Sequence, residues 1–342
     1  MTFPISISVI MATYNTEIPM LKEAVDSILN QTFRDFEFLI IDDGTTNGSD
    51  AFLNAIRDER VRIIRNSENI GITKSLNVGL KQAKGKYIAR MDADDISLPP
   101  RLEKEFAYME AHPDVILCGT SVGILDEENN LSPLKTFRPR DMEEYRIELL
   151  FINPGPSHPT AFFRHESLLE HHILYDEKLI YAQDYGMWET ISHYGRIFTL
   201  EETLLYRRRH RNQITVARRE TQIRCDKMTQ RKILTALLGN VSDAEAELHY
   251  VHSTEYYPDA VITPEVSAWY DRLVQANKSR HIYNQKKLEK RISNLKKALI
   301  RKTLDRNKVS GAAGIRMIFR YLPFFEAIRM LAGNVKRKMR SS

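Results

Sequence analysis

The sequence predicts an α/β fold for its first two thirds, a mainly parallel sheet with helices on both faces. Three observations predict it. Short apolar, β-branched runs alternate with segments of helical spacing, in short repeats. The chain has 342 residues, 42% of them hydrophobic, which is ample for a real core. Three of the apolar runs stop at clusters of polar residues, as strands of an open parallel sheet do where they meet a ligand.

The elements follow in order. Ile5–Ala12 (ISISVIMA) reads as a buried strand, and Leu21–Leu29 has helical spacing. Phe36–Ile41 is a second strand, stopped by Asp42-Asp43-Gly44. Val61–Arg65 is a third, and Ile72–Ala83 is helical, with Gly79 its weak point. Lys86–Met91 is a fourth strand ending at Asp92. Pro99 and Pro100 then open a helix through Ala111, since proline suits a first turn. Val115–Leu125 reads as a strand pair, and Asn153–Pro159 (NPGPSHP) is too rich in proline for regular structure. Thr160–Arg164 reads as a short strand, Ala182–Tyr194 as a helix beginning near Asp184. Arg196–Leu200 and Thr203–Tyr206 read as two short strands.

From about Ala217 glycine becomes rare and helical patterns dominate. The boundary is placed near 216, giving domains 1–216 and 217–342. Asn277–Leu304 reads as one Lys/Arg-rich helix with Leu288, Ile292, Leu295 and Leu299 on one face. Ser310-Gly311 breaks it. Ile315–Val335 is apolar with scattered arginines and a kink expected at Pro323.

The formal net charge of +5 describes neither half. Residues 276–342 carry nineteen Lys and Arg against three Asp and Glu, an excess of +16; the remainder stands at −11. Such a tail is a solvated helical surface, a nucleic-acid binder or an attachment to an anionic membrane. Aromatics among the arginines around Pro323 favour the third. Cys118 and Cys225 lack metal-ligand spacing and read as ordinary reduced thiols. No run approaches the length of a spanning helix, and the N-terminus lacks the basic region of a signal peptide. The expected location is cytoplasmic, or peripheral on the inner face of the cytoplasmic membrane.

The chemistry gathers at strand ends: Thr13-Tyr14-Asn15 after the first, Asp42-Asp43 after the second, Asp92-Ala93-Asp94-Asp95 after the fourth. One crevice then receives an aromatic ring and several carboxylates. Crowded carboxylates repel unless a positive charge joins them, and a hard divalent cation with oxygen ligands is the natural guest. Such a cation is often shared with substrate phosphates. The chain has neither a P-loop nor a Gly-x-Gly-x-x-Gly after its first strand. An Asp-x-Asp triplet alone is common on solvated loops; its placement after an apolar strand is what gives it weight.

The segments SVIMATYNTE (8–17), NQTFRDFEFLIIDDGT (30–45), NIGITKSLNVGL (69–80), GKYIARMDADDISLPPRLE (85–103) and QDYGMW (183–188) together resemble the family 2 glycosyltransferases, which have the GT-A fold. The likeness covers roughly residues 5–215. NPGPSHPTAFFRH (153–165) and RHRNQIT (209–215) are similar to bacterial transferases that build lipooligosaccharide or capsule, such as the β-1,3-N-acetylglucosaminyltransferases. The resemblance implies a GT-A catalytic domain with a basic, helical C-terminal region. It implies that Thr13 and Tyr14 line the base pocket, with Tyr14 stacking on uracil, and that Asp43 accepts from uracil N3. Asn69 and Lys74 lie near the nucleotide, and Asp92 contacts ribose or donor sugar. Asp94 ligates Mn²⁺ or Mg²⁺ on the diphosphate, with His210 approaching the metal. Asp184 is the general base.

The sequence departs from the pattern where Gln183 replaces the usual Glu, where Leu76 stands for an arginine that Lys74 replaces, and where three arginines separate Tyr206 from His210. Asp95 is either a turn cap or a ligand, and His158 either an acceptor contact or a structural histidine. Arg207, Arg208 and Arg209 either steer a diphosphate or lie in solvent. Tyr185 and Trp188 either stack on an acceptor or belong to the core. The resulting expectation is an inverting, metal-dependent enzyme that moves a hexose or N-acetylhexosamine from a UDP-sugar to a glycan or lipid-linked glycan in cell-surface polysaccharide synthesis, with no nucleic-acid partner. The alternative is a non-catalytic nucleotide-sugar-binding or scaffold protein.

Overall fold

The computed structural model describes residues 2–134, 138–209, 218–254, 256–306 and 311–331. The chain forms two compact units. One comprises Met1–Met142 with Pro154–Asp226, the other Glu143–Asn153 with Lys227–Ser342.

In the first unit, β1 (Ile5–Thr13) is followed by α1 (Ile18–Leu29), β2 (Phe36–Asp42), α2 (Ser49–Ala55), β3 (Val61–Arg65), α3 (Ile72–Gln82) and β4 (Gly85–Asp92). The β-branched runs make the strands, and β2 is buried along its whole length, as a strand covered on both faces must be. These four strands lie parallel in the order β3-β2-β1-β4. After β5 (Ile96–Ser97) and α4 (Arg101–Ala111) come β6 (Val115–Leu125) and β7 (Leu131–Pro133). The second half of the sheet is mixed. β8 (Phe162–Arg164) runs antiparallel to both β4 and β6, whereas β9 (Arg196–Arg208) runs parallel to β6.

Two expectations change in the first unit. Val115–Leu125 is one continuous buried strand rather than a pair. The two strands expected between Arg196 and Tyr206 are one, with register shifts opposite Thr120 to Val122 that absorb the polar Glu201-Glu202 step. The core is built from alternate residues of β1, β2 and β4 against Leu21, Val25 and Ile28 of α1 and Leu102 and Met109 of α4. Beneath β4, Arg101 is fully buried; it donates to both carboxylate oxygens of Glu105 at 3.2 Å and to the Arg90 carbonyl at 2.8 Å. A buried charge needs such partners.

The second unit begins with most of α5 (Met142–Glu148), a segment that lies in sequence between strands of the first. The first unit then continues through α6 (His165–Glu170), α7 (Gln183–Ile191) and the start of α8 (Arg219–Leu238). The second unit resumes within α8 and adds α9 (Asp243–His252), α10 (Pro264–Arg280), α11 (Gln285–Arg306) and α12 (Gly311–Tyr321). Ser242 and Glu245 form a reciprocal cap on α9, and Thr263 with Pro264 starts α10. His249 accepts from Trp269 Nε1 at Nδ1 (3.0 Å), so its Nε2 carries the proton and donates to the Leu150 carbonyl at 2.6 Å. Burial pushes this imidazole down to about 4, which keeps it neutral.

The single helix expected over 277–304 is interrupted. His281 adopts a left-handed conformation (φ 54°), and the Asn277 side chain exchanges two 2.8 Å hydrogen bonds with the Tyr283 backbone. The apolar face of Leu288, Ile292, Leu295 and Leu299 is buried as its spacing predicts. Helix α12 ends before Pro323, and helical structure resumes over 324–331. Among the described residues no helix is long and apolar enough to cross a membrane.

Candidate functional site

The site lies in the first unit, where β1, β2 and β4 end side by side. Asp43 N–H donates to the Thr13 carbonyl at 2.9 Å, stitching the ends of β1 and β2 together. Thr13 is buried and its hydroxyl donates to Thr16; Tyr14 is 48% exposed, its ring free to meet a ligand face. Asn15 turns the chain with a left-handed backbone (φ 51°), which asparagine tolerates. Its side-chain oxygen accepts from the backbone N–H of Thr46 (2.8 Å) and Asn47 (3.2 Å), tying down the loop after β2.

Asp43 is buried and accepts three hydrogen bonds, from Asn66 Nδ2 (2.8 Å), Ile70 N (2.9 Å) and Gly71 N (2.9 Å). A carboxylate has about four acceptor positions, so roughly one remains for a ligand N–H. The residue expected to meet a base therefore also builds the loop that carries Asn69. Gly44 permits this closeness: at φ 74°, an added Cβ would lie 2.7 Å from the Glu68 carbonyl carbon. Asn69 and Lys74 are exposed, Lys74 in the first turn of α3. Leu76, where an arginine is usual in the resembled pattern, is buried in the core.

Asp92, Asp94 and Asp95 present one carboxylate oxygen each within 4.8 Å of one another. Burial and mutual repulsion raise Asp92 and Asp95 above the ordinary carboxylate range, although Arg90 opposes the rise at Asp92. Asp95 is not the cap of the following turn. Its Oδ1 accepts from Arg208 N on β9 at 3.0 Å, and its buried Oδ2 has no hydrogen-bond partner among the described residues. An orphaned carboxylate oxygen beside two further carboxylates fits a hard divalent cation. His210 lies outside the described residues.

Arg90 and Arg208 take parts in the site that the pattern of strand ends does not show. Arg90 is 4% exposed and pairs with Asp92. Its Nε and Nη1 are buried without hydrogen-bond partners among the described residues, beside a cavity of about 10 Å³ that Tyr175 and Phe163 help to line. An arginine inside the apolar run YIARM was the available signal. Arg208 donates from Nε to the Asp94 carbonyl at 3.1 Å and pairs with Glu23, so it braces the acidic loop. Arg207 lies within electrostatic reach of Asp92.

Asp184 sits in the first turn of α7 and its Oδ1 accepts from Tyr185 N at 2.9 Å. The turn is launched by Ala182 in a left-handed conformation (φ 58°), an expensive choice for a residue with a Cβ. Gln183 is buried. Tyr185 and Trp188 belong to the core, and Trp188 Nε1 donates to the Pro156 carbonyl at 3.2 Å. His158 is structural too, its Nε2 2.8 Å from the Tyr175 hydroxyl.

A second carboxylate lies within electrostatic reach of Asp184. Asp226 on α8 is pushed up to about 7 by burial and by the Asp184 charge. Nothing in the sequence links the two, 42 positions apart. Asp226→Asn should remove a carboxyl titration near pH 7, followed by carbon-13 NMR; a titration that persists in the variant would assign it to another group.

The sequence profile of Glycosyl transferase family 2 matches residues 8–172. An uncharacterized glycosyltransferase of Methanocaldococcus jannaschii is 39% identical over 204 residues, 58% of this chain and 69% of that protein. The O-antigen biosynthesis glycosyltransferase WbnJ of Escherichia coli is 34% identical over 190 residues, 53% of this chain and 70% of that protein. Among solved structures, S. aureus TarS 1-349 in complex with UDP-GlcNAc superposes with a TM-score of 0.55 at 19% identity, over 89% of this chain and 92% of that one. Against the longer TarS chain the match spans 53% of its length. At this identity the structural likeness concerns the fold: a GT-A-like mixed sheet between helices, followed by a helical C-terminal region.

Proposed function

The chain belongs to glycosyl transferase family 2, and from that premise we propose that it transfers a hexose or N-acetylhexosamine from a UDP-sugar to a hydroxyl of a glycan or lipid-linked glycan, with inversion, in cell-surface polysaccharide synthesis. The observation that carries the reading is the acidic trio of Asp92, Asp94 and Asp95 at the end of β4, beside the exposed Tyr14 at the end of β1. The O-antigen role in WbnJ's name and the UDP-GlcNAc bound to TarS support the substrate class. A β-1,3-N-acetylglucosaminyl specificity is the finer form of the proposal. The location we infer is the cytoplasmic side of the membrane on which such acceptors are built. The catalytic domain is taken as residues 1–216 and the basic helical region as 217–342.

In this reading Thr13 and Tyr14 form the base pocket, Tyr14 stacking on uracil. Asp43 offers its remaining acceptor position to the uracil N3 proton, and Asn69 and Lys74 flank the nucleotide. Asp92, kept in place by Arg90, faces ribose or the donor sugar. Asp94 and Asp95 would hold Mn²⁺ or Mg²⁺, with His210 a further ligand. When bound, that ion supplies positive charge against the departing diphosphate. Asp184 takes the proton from the acceptor hydroxyl as it attacks the anomeric carbon from the face opposite UDP. Transfer with one inversion forms no covalent sugar–enzyme bond, so a single base suffices.

The test is a panel of UDP-sugars with and without divalent cation, read as thermal stabilisation and UDP release. The expected result is one or two UDP-sugars that stabilise the protein and release UDP only with cation. Stabilisation by no UDP-sugar in the presence of Mn²⁺ or Mg²⁺ would sink the proposal.

A further inference from the structure

The second unit carries a feature that glycosyl transfer does not use. Helix α12 and the helical segment 324–331 bury one side, through Gly314, Ile318, Leu322, Ala327 and Met330. The pair is anchored to α11, where Glu326 accepts from Lys297 at 2.9 Å and pairs with the Ser293 hydroxyl. The other side is apolar and open. Ile315 is 45% exposed, Phe319 38%, Phe324 62%, Phe325 77% and Ile328 44%. The three phenylalanines form one cluster, with ring centroids 5.7 Å apart from Phe319 to Phe324 and from Phe324 to Phe325.

Isolated exposed apolar residues are ordinary, but a continuous cluster on an anchored helical pair is costly in water and marks a docking surface. Its chemistry selects the occupant. Arg316, Arg320 and Arg329 belong to the same two helices, and among residues 311–331 Glu326, engaged with α11, is the one acidic residue. The sequence continues with Lys336, Arg337, Lys338 and Arg340. A second copy of this surface would bring arginines against arginines. A bilayer with anionic headgroups satisfies both parts, the rings entering the acyl boundary and the arginines meeting phosphates.

We propose that the helical pair 311–331 docks this protein on an anionic membrane surface, with Phe324 and Phe325 as the inserting side chains and Arg316, Arg320 and Arg329 as the headgroup contacts. The surface stands apart from the transfer reading: UDP binding and vesicle binding are separately measurable.

The experiment is co-sedimentation of the full chain with vesicles of phosphatidylcholine alone and of phosphatidylcholine mixed with phosphatidylglycerol. The wild type should pellet with the mixed vesicles, and salt should weaken the binding. The double variant Phe324→Asp/Phe325→Asp should lose at least about tenfold in apparent affinity, since each aspartate deletes a ring that enters the bilayer and adds a charge of the wrong sign. Both side chains are exposed, so folding should be intact; unchanged thermal unfolding of the variant would verify it. A triple Arg→Gln variant at 316, 320 and 329 should lose the preference for phosphatidylglycerol. Failure of the wild type to bind mixed vesicles, or a double variant that binds as the wild type does, would overturn the inference. So would a concentration-dependent dimer that the double variant abolishes while vesicle binding stays unchanged, because the surface would then serve a second copy.

Discussion

Asp184→Asn should lower kcat by about a hundred- to ten-thousandfold, the usual contribution of a positioned general base, while UDP affinity stays as in the wild type. The geometry makes this substitution informative. The carboxylate Oδ1 accepts from Tyr185 N at 2.9 Å in the first turn of α7, and an asparagine oxygen can accept the same bond. The helix start is therefore kept while the proton acceptor is removed. Titration calorimetry with UDP separates binding from chemistry. Turnover close to wild type would refute the role of base, and a joint loss of turnover and UDP binding would move Asp184 to the donor side of the site.

Asp94→Ala should act on the other half of the reaction. Asp92 is paired with Arg90, and Asp95 gives one oxygen to Arg208 N. Removing Asp94 takes a full negative charge from a trio whose oxygens lie within 4.8 Å. Even residues one layer behind a metal typically cost ten- to a hundredfold in affinity when lost, so a direct ligand should cost at least about tenfold. The cation-dependent part of UDP binding should fall by that factor, and any cation-independent part should survive. The fold should not suffer without metal, because the Asp94 charge presses on both Asp92 and Asp95 and its removal relieves them. Calorimetry with UDP, with and without Mn²⁺, reads both parts. Equal cation dependence in variant and wild type would exclude Asp94 as a ligand.

Much of the first unit was legible because its strands are short apolar runs ended by charged or polar residues. Val61–Arg65 was read to the residue, and β1, β2 and β4 to within one residue at each end. The acidic strand ends were legible for the same reason, since nothing apolar masks them. Long-range pairing was not. The antiparallel insertion of β8 between β4 and β6 depends on three residues whose partners are more than forty positions away. The split of the expected helix at His281 rests on the Asn277 side chain closing on Tyr283, a local hydrogen bond that apolar periodicity does not register.

The site divides in the same way. Asp43, Asp92 and Asp94 announce themselves at strand ends, but what holds them does not. Arg208 had two readings in the sequence, a diphosphate contact or a solvated cation, and in the structure it braces the acidic loop from the end of β9. Asp226 comes within electrostatic reach of Asp184 only through tertiary structure. Tyr185 and Trp188 had two readings in the sequence, and burial decides them for the core.

Transfer from a UDP-sugar with inversion fixes the configuration at the anomeric carbon of the product. The most direct measurement follows the UDP-release assay by proton NMR, using the α-linked UDP-hexose or UDP-N-acetylhexosamine that stabilises the protein most, with divalent cation present. Sugar should first appear as the β-anomer, free or joined to an acceptor, in step with UDP. First appearance of the α-anomer would rule out inversion.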